Sequence, residues 1–266
     1  MAGEAKSTEF LLSTATVMIG LQSKVMELNP TDHSIGLVKN IQVSADLGFT
    51  ELTQGVNAQV VSSVNTSNNT KISGEVYEFS ARNLAYGAGL DGSAASYDPL
   101  TSTFALGTAV TVGGATVALA TGGGASFAAG DFLVIQDTAN TDRLHVGKVQ
   151  SVATDTITLA TGYTMPTTMA FPIATTVIYK VRRIQVGAVS TQPTFGAKLV
   201  GIMPEGGAPV TLIFPKIKIT KGLSLAFQQD NYANMPFEFT PYSLVASDPY
   251  FADFGSQKNW MILKNK

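Results

Sequence analysis

The sequence predicts a mainly β fold: a β-sandwich or barrel with one flanking α-helix, interrupted in mid-chain by a smaller inserted β-barrel or sandwich domain. Three observations predict it. Apolar and polar residues alternate from Leu37 to Leu52, as in a half-buried antiparallel strand. Only Ser73 to Gly87 has convincing helical spacing. From about Ser93 to Thr175 the composition shifts to Ala, Thr and Gly, cations thin to Arg143 and Lys148, and short apolar runs alternate with glycine turns.

In the first strand Leu37, Ile41, Val43, Ala45, Leu47 and Phe49 share one parity, and Asn40, Gln42, Ser44, Asp46 and Thr50 share the other. The run is one long strand or two joined at Gly48. Gln59 to Val64 is expected as its partner, and the polar cluster Asn65 to Thr70 as a turn. That cluster also matches the glycosylation acceptor pattern twice, which without a signal peptide is read as incidental. In the helical segment Tyr77, Ala81, Leu84 and Ala85 share a face, Glu75 and Glu78 lie early, and Gly87 sits at a C-terminal stop. Its start is open, because Lys71 to Val76 can equally continue a strand that turns helical near Ser80.

The inserted domain, 93–175, has candidate strands at Ala109 to Val112, Thr116 to Ala120, Asp131 to Gln136, Leu144 to Val152 and Thr156 to Ala160. Two of them share a T-[VI]-x-L-A-T-G pattern, Thr116 to Gly122 and Thr156 to Gly162. Two copies are too few for a solenoid. Further strands are expected at Ile178 to Val186, Ala197 to Met203, Val210 to Thr220, Leu223 to Gln228 and Met235 to Leu244. Within Val210 to Thr220 the apolar parity switches across Pro215, which a bulge or an edge position explains. The outer domain is therefore discontinuous, 1–92 and 176–266.

At 266 residues the chain can bury a substantial core without metal or disulfide help. The 17 Lys and Arg against 19 Asp and Glu exclude a general nucleic-acid surface, which needs clustered cations. Only 14% of residues are charged, against roughly a quarter in ordinary domains; such a surface suits burial between subunits. There is no cysteine, which removes disulfides, thiolate metal sites and Cys nucleophiles. Met1 to Glu9 has no basic run, and Ser13, Thr14, Thr16 and Gly20 interrupt the apolar stretch Phe10 to Leu21, so neither a signal peptide nor a membrane anchor is expected.

Candidate chemistry is sparse. Gly87-Ala-Gly89-Leu-Asp-Gly92 spells the G-x-G-x-x-G dinucleotide fingerprint. That fingerprint needs a strand before the glycines and a helix after them; here the order is reversed, and the glycines read as a helix stop. His33 and His145 are too few for a metal site, and Asp32 beside His33 cannot orient it as a triad carboxylate does. Asp131, Asp137 and Asp142 lack the dense spacing of a calcium loop. No catalytic, cofactor or metal residue is assigned, and an enzyme is not expected. The aromatic tail Tyr250, Phe251, Phe254 and Trp260 is the better candidate for docking on a neighbouring subunit.

The strand Leu37 to Leu52, the run Ser73 to Gly87 and the run Phe227 to Leu244 together resemble the bacteriophage major tail tube family. The resemblance covers the outer halves, roughly 180 residues, and leaves the insert unmatched. It implies a β-sandwich with one flanking helix that forms hexameric rings, whose strands build an inner barrel around a lumen and whose rings stack into a tube for DNA delivery. It further implies a virion protein made in the host bacterial cytoplasm, with itself, tape measure, tail terminator and distal tail or baseplate proteins as partners, and DNA only in transit. Under the resemblance Gln42, Ser44 and Asp46 are the candidate lumen-facing residues. Phe10, Leu11 and Leu12 join the aromatic tail as candidate intersubunit contacts. The rival readings are a tail terminator, completion or decoration protein, and a carbohydrate-binding adhesive module whose insert is the binding unit.

Overall fold

The computed structural model describes residues 15–54, 56, 58–90, 103–181, 183–184, 186–187, 192–201, 209–221, 224 and 233–264. In chain order the strands are β1 (Ala15–Leu21), β2 (Val38–Gln54), β3 (Gln59–Val76), β4 (Thr103–Ala105), β5 (Thr116–Ala118), β6 (Phe132–Asp137), β7 (Asn140–Ala153), β8 (Thr156–Leu159), β9 (Thr176–Val181), β10 (Phe195–Gly201), β11 (Val210–Ile219), β12 (Met235–Pro241) and β13 (Met261–Leu263). The short helices are α1 (Pro30–His33), α2 (Ala81–Gly87) and α3 (Phe251–Phe254). The fold is mainly β, and every strand pairing is antiparallel. Two compact units divide the chain, Met1–Tyr97 with Val186–Lys266, and Asp98–Gln185.

The first unit is a seven-stranded sheet in the order β1-β10-β11-β12-β3-β2, with β13 also on β11. One face carries the main core, including Val17 and Ile19 from β1, Phe195 and Leu199 from β10, Phe214 and Ile217 from β11, Phe239 from β12 and Ile72 from β3. Alternation dictates this: Val17 and Ile19 face that core, while Met18 between them joins a second cluster with Val25, Leu28, Ile213, Leu244 and Phe254. At β11, Ile217 pairs with Phe195 but Phe214 pairs with Ala197, so β11 carries one extra residue beside Pro215. The bulge resets the parity, which lets Phe214 and Ile217 face the same core, and it accommodates a proline without an N–H donor.

β3 runs to Val76 and α2 starts at Ala81, the second of the two readings left open by the sequence. The Ser80 side chain accepts a hydrogen bond from the Asn83 N–H at 3.2 Å. At the other end Gly89, at φ +72, donates to the Tyr86 carbonyl and Leu90 donates to Ala85, both at 2.9 Å. That is a Schellman stop, so the first two glycines of the apparent dinucleotide fingerprint end a helix; Gly92 lies outside the described residues. Arg82 donates to the Asp32 and Ser34 carbonyls, and Asn83 Nδ2 donates to the Ile35 and Glu78 carbonyls. These bonds fasten α2 to the chain just past α1.

The second unit is a six-stranded sheet, β4-β9-β6-β7-β8-β5. Its end strands meet: Leu106 bridges to Leu119, Gly107 N–H donates to the Ala118 carbonyl and Ala120 N–H to the Ala105 carbonyl, both at 2.9 Å. The sheet thus closes into a small barrel filled by Val117, Leu119, Leu133, Ile135, Val149, Ile157, Leu159 and Ile178. At this seam a Cβ on Gly107 would collide with the Leu119 carbonyl, so the seam requires glycine.

The barrel is internally two-fold. β5 and β8, the two T-[VI]-x-L-A-T-G segments, pair about Val117 and Ile157. Leu119 N–H donates to the Asp155 carbonyl at 2.8 Å, and Leu159 N–H donates to Ala115 at 2.7 Å. After them Gly123 N–H bonds Ala120, and Tyr163 N–H bonds Ala160. β6 and β9 also pair about a shared centre, with Phe132 opposite Val181 and Asp137 opposite Thr176. Buried Phe127 and Phe171 occupy matching places ahead of these two strands.

Four sequence expectations change. The insert extends past Thr175: β9 lies between β4 and β6 in the barrel sheet, because Thr176 and Ile178 point into its core. The outer domain's second half therefore does not start at 176. Asn65 to Thr70 is strand, not turn; β2 and β3 reverse between Gln54 and Gln59. Ala109 to Val112 is loop, held by a bond from Gly113 N–H to the Pro166 carbonyl, and β4 takes its place in the sheet. The tail after Tyr250 is not wholly irregular, since it holds α3 and β13. Of the strand expected at Leu223 to Gln228 only Ser224 lies among the described residues, and it is not in a strand.

Candidate assembly surface

β12 pairs with β3 only over Ile72 to Val76, whereas β2 and β3 stay paired out to Gln54 and Gln59. Beyond Ala45 and Thr70 the hairpin therefore leaves the sheet as a two-stranded ribbon, roughly 30 Å long at the strand rise. Among the described residues no strand pairs with the outer edge of β2, nor with β3 before Ile72. The ribbon carries Leu47, Phe49, Leu52, Val60, Val61 and Val64, each 53% to 66% exposed. Two free edges and a run of large exposed apolar side chains are features that a strand-adding partner would cover. A two-stranded ribbon standing alone is marginal in water, so pairing stabilises it further.

The ribbon is sided. Val43 pairs with Ile72 and Ala45 with Thr70 on the face continuous with the core, where Leu47 and Phe49 follow. The opposite face carries Gln42 beside Ser73, Ser44 beside Lys71 and Asp46 beside Asn69. Gln42, Ser44 and Asp46 thus share one polar face, and Gln42 and Asp46 are exposed. Ser73 also pairs with Glu238, which lies 3.9 Å from Lys71, so this face carries both signs of charge rather than acid alone.

The ribbon's root is braced. β2 bulges between Lys39 and Gln42, with Asn40 in the left-handed region at φ 54. Tyr77 donates to Glu75 Oε2 at 2.8 Å, and the Lys39 ammonium lies 4.8 Å from the Tyr77 ring centre. The Tyr77 hydroxyl, aided by Asn234, holds the Glu75 carboxyl below its ordinary range, and the same bond raises the Tyr77 hydroxyl.

The aromatic tail packs on its own chain. Phe254 is 4% exposed among Met18, Val25 and Leu244, and so has no surface left for a neighbouring subunit. This corrects its expected role; burial of one large apolar ring stabilises the subunit by roughly 1.5–3 kcal/mol. Trp260 stacks on Phe214 at 5.6 Å and 21°. Tyr250 donates its hydroxyl to the Ser23 carbonyl at 3.0 Å, and Phe251 packs beside it. Asp248 takes an ion pair from Lys216 at 2.7 Å and a bond from Val245 N–H, which together lower its pKa. Phe10, Leu11 and Leu12 lie outside the described residues. The ribbon's apolar tip was missed in the sequence, although the presence of apolar residues on both parities, in Leu47 to Leu52 and in Val60 and Val61, was the available signal.

The other candidates have plain partners. His33 Nδ1 accepts from Asn29 N–H at 3.4 Å, and His145 Nε2 lies 3.0 Å from the Tyr163 carbonyl. Asp131 pairs with Lys180 at 2.7 Å and Asp137 with Arg143 at 3.0 Å. The nearby Thr175 hydroxyl, backbone N–H groups and Arg143 hold Asp137 below the ordinary aspartate range. Among the described residues no three His, Cys, Asp or Glu gather as a metal site, and no helix is long and apolar enough to cross a membrane. No family model matches the chain, and no curated protein matches its sequence.

Proposed function

We propose that this chain is a structural virion subunit that assembles with copies of itself into stacked hexameric rings, the tail tube through which a bacteriophage delivers DNA. The observation that carries the reading is the β2–β3 ribbon, with its exposed apolar side chains and unpaired edges. Such a surface is costly in a protein that works alone. In a ring each subunit offers one surface to its neighbour and receives another, so the contact is heterologous and closes. Stacking repeats a second heterologous contact along the axis, and the result is a tube. The polar face of Gln42, Ser44 and Asp46 suits a lumen that lets DNA slide, because few cations are present to hold phosphate. Tape measure, terminator and distal tail proteins are the partners this reading implies.

Negative-stain microscopy of the purified full chain tests the proposal. Regular tubes with a ring repeat are expected. Single rings that never stack would favour a terminator, and a protein that stays monomeric at high concentration would overturn the reading.

A further inference from the structure

We infer that the inserted barrel carries a binding site for an acidic glycan on its outer face, centred on Phe132. This inference is independent of the tube reading. Phe132 opens β6, and alternation places it outside the barrel, opposite buried Leu133 and Ile135. The Lys148 ammonium of β7 lies 6.0 Å from its ring centre, and the Arg183 guanidinium, just past β9, lies 5.1 Å from it. Because β7 and β9 flank β6 on opposite sides, the two cations bracket the ring. Tyr163 meets Phe132 edge to face at 5.9 Å. Its loop is held by His145 through the Tyr163 carbonyl.

Two observations separate this cluster from ordinary packing. The first is charge. Arg143 and Lys180 of this unit are ion-paired to Asp137 and Asp131, whereas Lys148 and Arg183 have no carboxylate within ion-pair distance among the described residues. Both of these cations converge on one ring. The second is the internal two-fold. The places that correspond to Phe132, Lys148, Tyr163 and Arg183 in the other half of the barrel are Val177, Ala105, Gly123 and Thr138. That half builds the same strands and turns with small residues, so the fold does not require the aromatic and cationic set.

The chemistry favours a carboxylated sugar polymer. Two cations match sparse carboxylates, and the partly exposed Tyr163 ring offers an apolar surface to the C–H faces of sugar rings. The Tyr163 hydroxyl offers a hydrogen bond to ring hydroxyls. A phosphodiester strand carries much denser charge and calls for more cations than a unit with five acids and five bases supplies.

The test titrates the full-length protein with polygalacturonate, alginate and hyaluronan, and in parallel with methyl-esterified polygalacturonate and single-stranded oligothymidylate. Binding to at least one carboxylated polymer is expected, with loss of binding on esterification and weakening by added salt. Lys148→Ala and Arg183→Ala should each weaken it by roughly fivefold to tenfold. Lys148→Arg should retain binding, and Lys24→Ala, in the other unit, should leave it unchanged. Should an alanine variant misfold by circular dichroism, Lys148→Gln and Arg183→Gln replace it. No binding to any of the three polymers, or binding indifferent to both cations, overturns the inference. Tighter binding to oligothymidylate also overturns it and assigns the cluster to nucleic acid.

Discussion

Val117 and Ile157 face one another across the β5–β8 pair, each at the same position of its own copy of one short sequence pattern. Both are fully buried in the barrel core. Each side chain therefore sees the other's backbone environment turned through a half rotation. Val117→Ala and Ile157→Ala should each destabilise the second unit by about 1–4 kcal/mol, Ile157→Ala by more because it removes more volume. Because the two side chains share one space, the double variant should depart from additivity by about 0.5 kcal/mol or more. Denaturant unfolding followed by a probe in the second unit measures both; strict additivity would show that the pair does not share a cavity.

Phe49→Asp and Val64→Asp should block polymerisation while leaving the subunit folded, since both side chains are more than half exposed. Analytical ultracentrifugation should show loss of the assembled species with a change in monomer stability within about 0.5 kcal/mol. Tubes formed as readily as by the unaltered chain would remove the ribbon from the interface.

Asp46→Lys adds a cation to the polar face, close to Lys71 on the neighbouring strand. Under the tube reading assembly should proceed and DNA passage should be impaired, as read by infectivity of phage carrying the variant. Unchanged infectivity would place Gln42, Ser44 and Asp46 away from the DNA path.

Phe254→Ala should act within the subunit, destabilising it by about 3–5 kcal/mol. Trp260→Phe keeps a stacked ring on Phe214 and should cost less. Thermal unfolding of the monomeric fraction distinguishes the two. A Phe254→Ala subunit of normal stability that fails to assemble would return that ring to the intersubunit contact.

Acid should weaken both units. The Lys216 ammonium and the Val245 N–H lower Asp248, and the Gly124 and Gly122 N–H groups lower Asp155. A carboxyl whose folded pKa lies below its unfolded value binds fewer protons when folded, so its contribution is complete above the ordinary value of 3.8. That contribution is lost as pH falls through the lower, folded value. The melting temperature should drop as pH falls from the ordinary value to the folded one and then level off, and Asp248→Asn should flatten the profile of the first unit. A profile identical to that of the unaltered chain would show that this ion pair is not formed.

Much of the architecture was legible because burial imposes a period. Ile41, Val43 and Ile72 had to alternate to reach a core, and Phe214 and Ile217 could share one only through a bulge at Pro215. The ribbon obeys no such demand. Asn65 to Thr70 reads as a turn by composition, yet its backbone is satisfied by pairing with Phe49 through Ala45, and almost all its side chains meet solvent. The reversal that does exist follows Gln54, where apolar residues lie on both sides. β9 was assigned to the wrong unit for a related reason. Its return of cations looked like a change of domain, whereas its pairing with β6 and the matching Phe127 and Phe171 were the informative signals. The Phe132 cluster was not legible at all, since Phe132, Lys148, Tyr163 and Arg183 meet only when the barrel closes.

The register of β2 against β3 shifts three times, after Lys39, Gly48 and Leu52, and the longest unbroken run is the seven pairs from Gln42 to Gly48. A flat ribbon of this length, rich in exposed Val and Leu, would template fibres by adding identical copies edge to edge. Each shift twists the edge and spoils the repeat that such stacking needs. The ribbon can thus stay adhesive toward a partner shaped to its irregular edge while being a poor seed for amyloid.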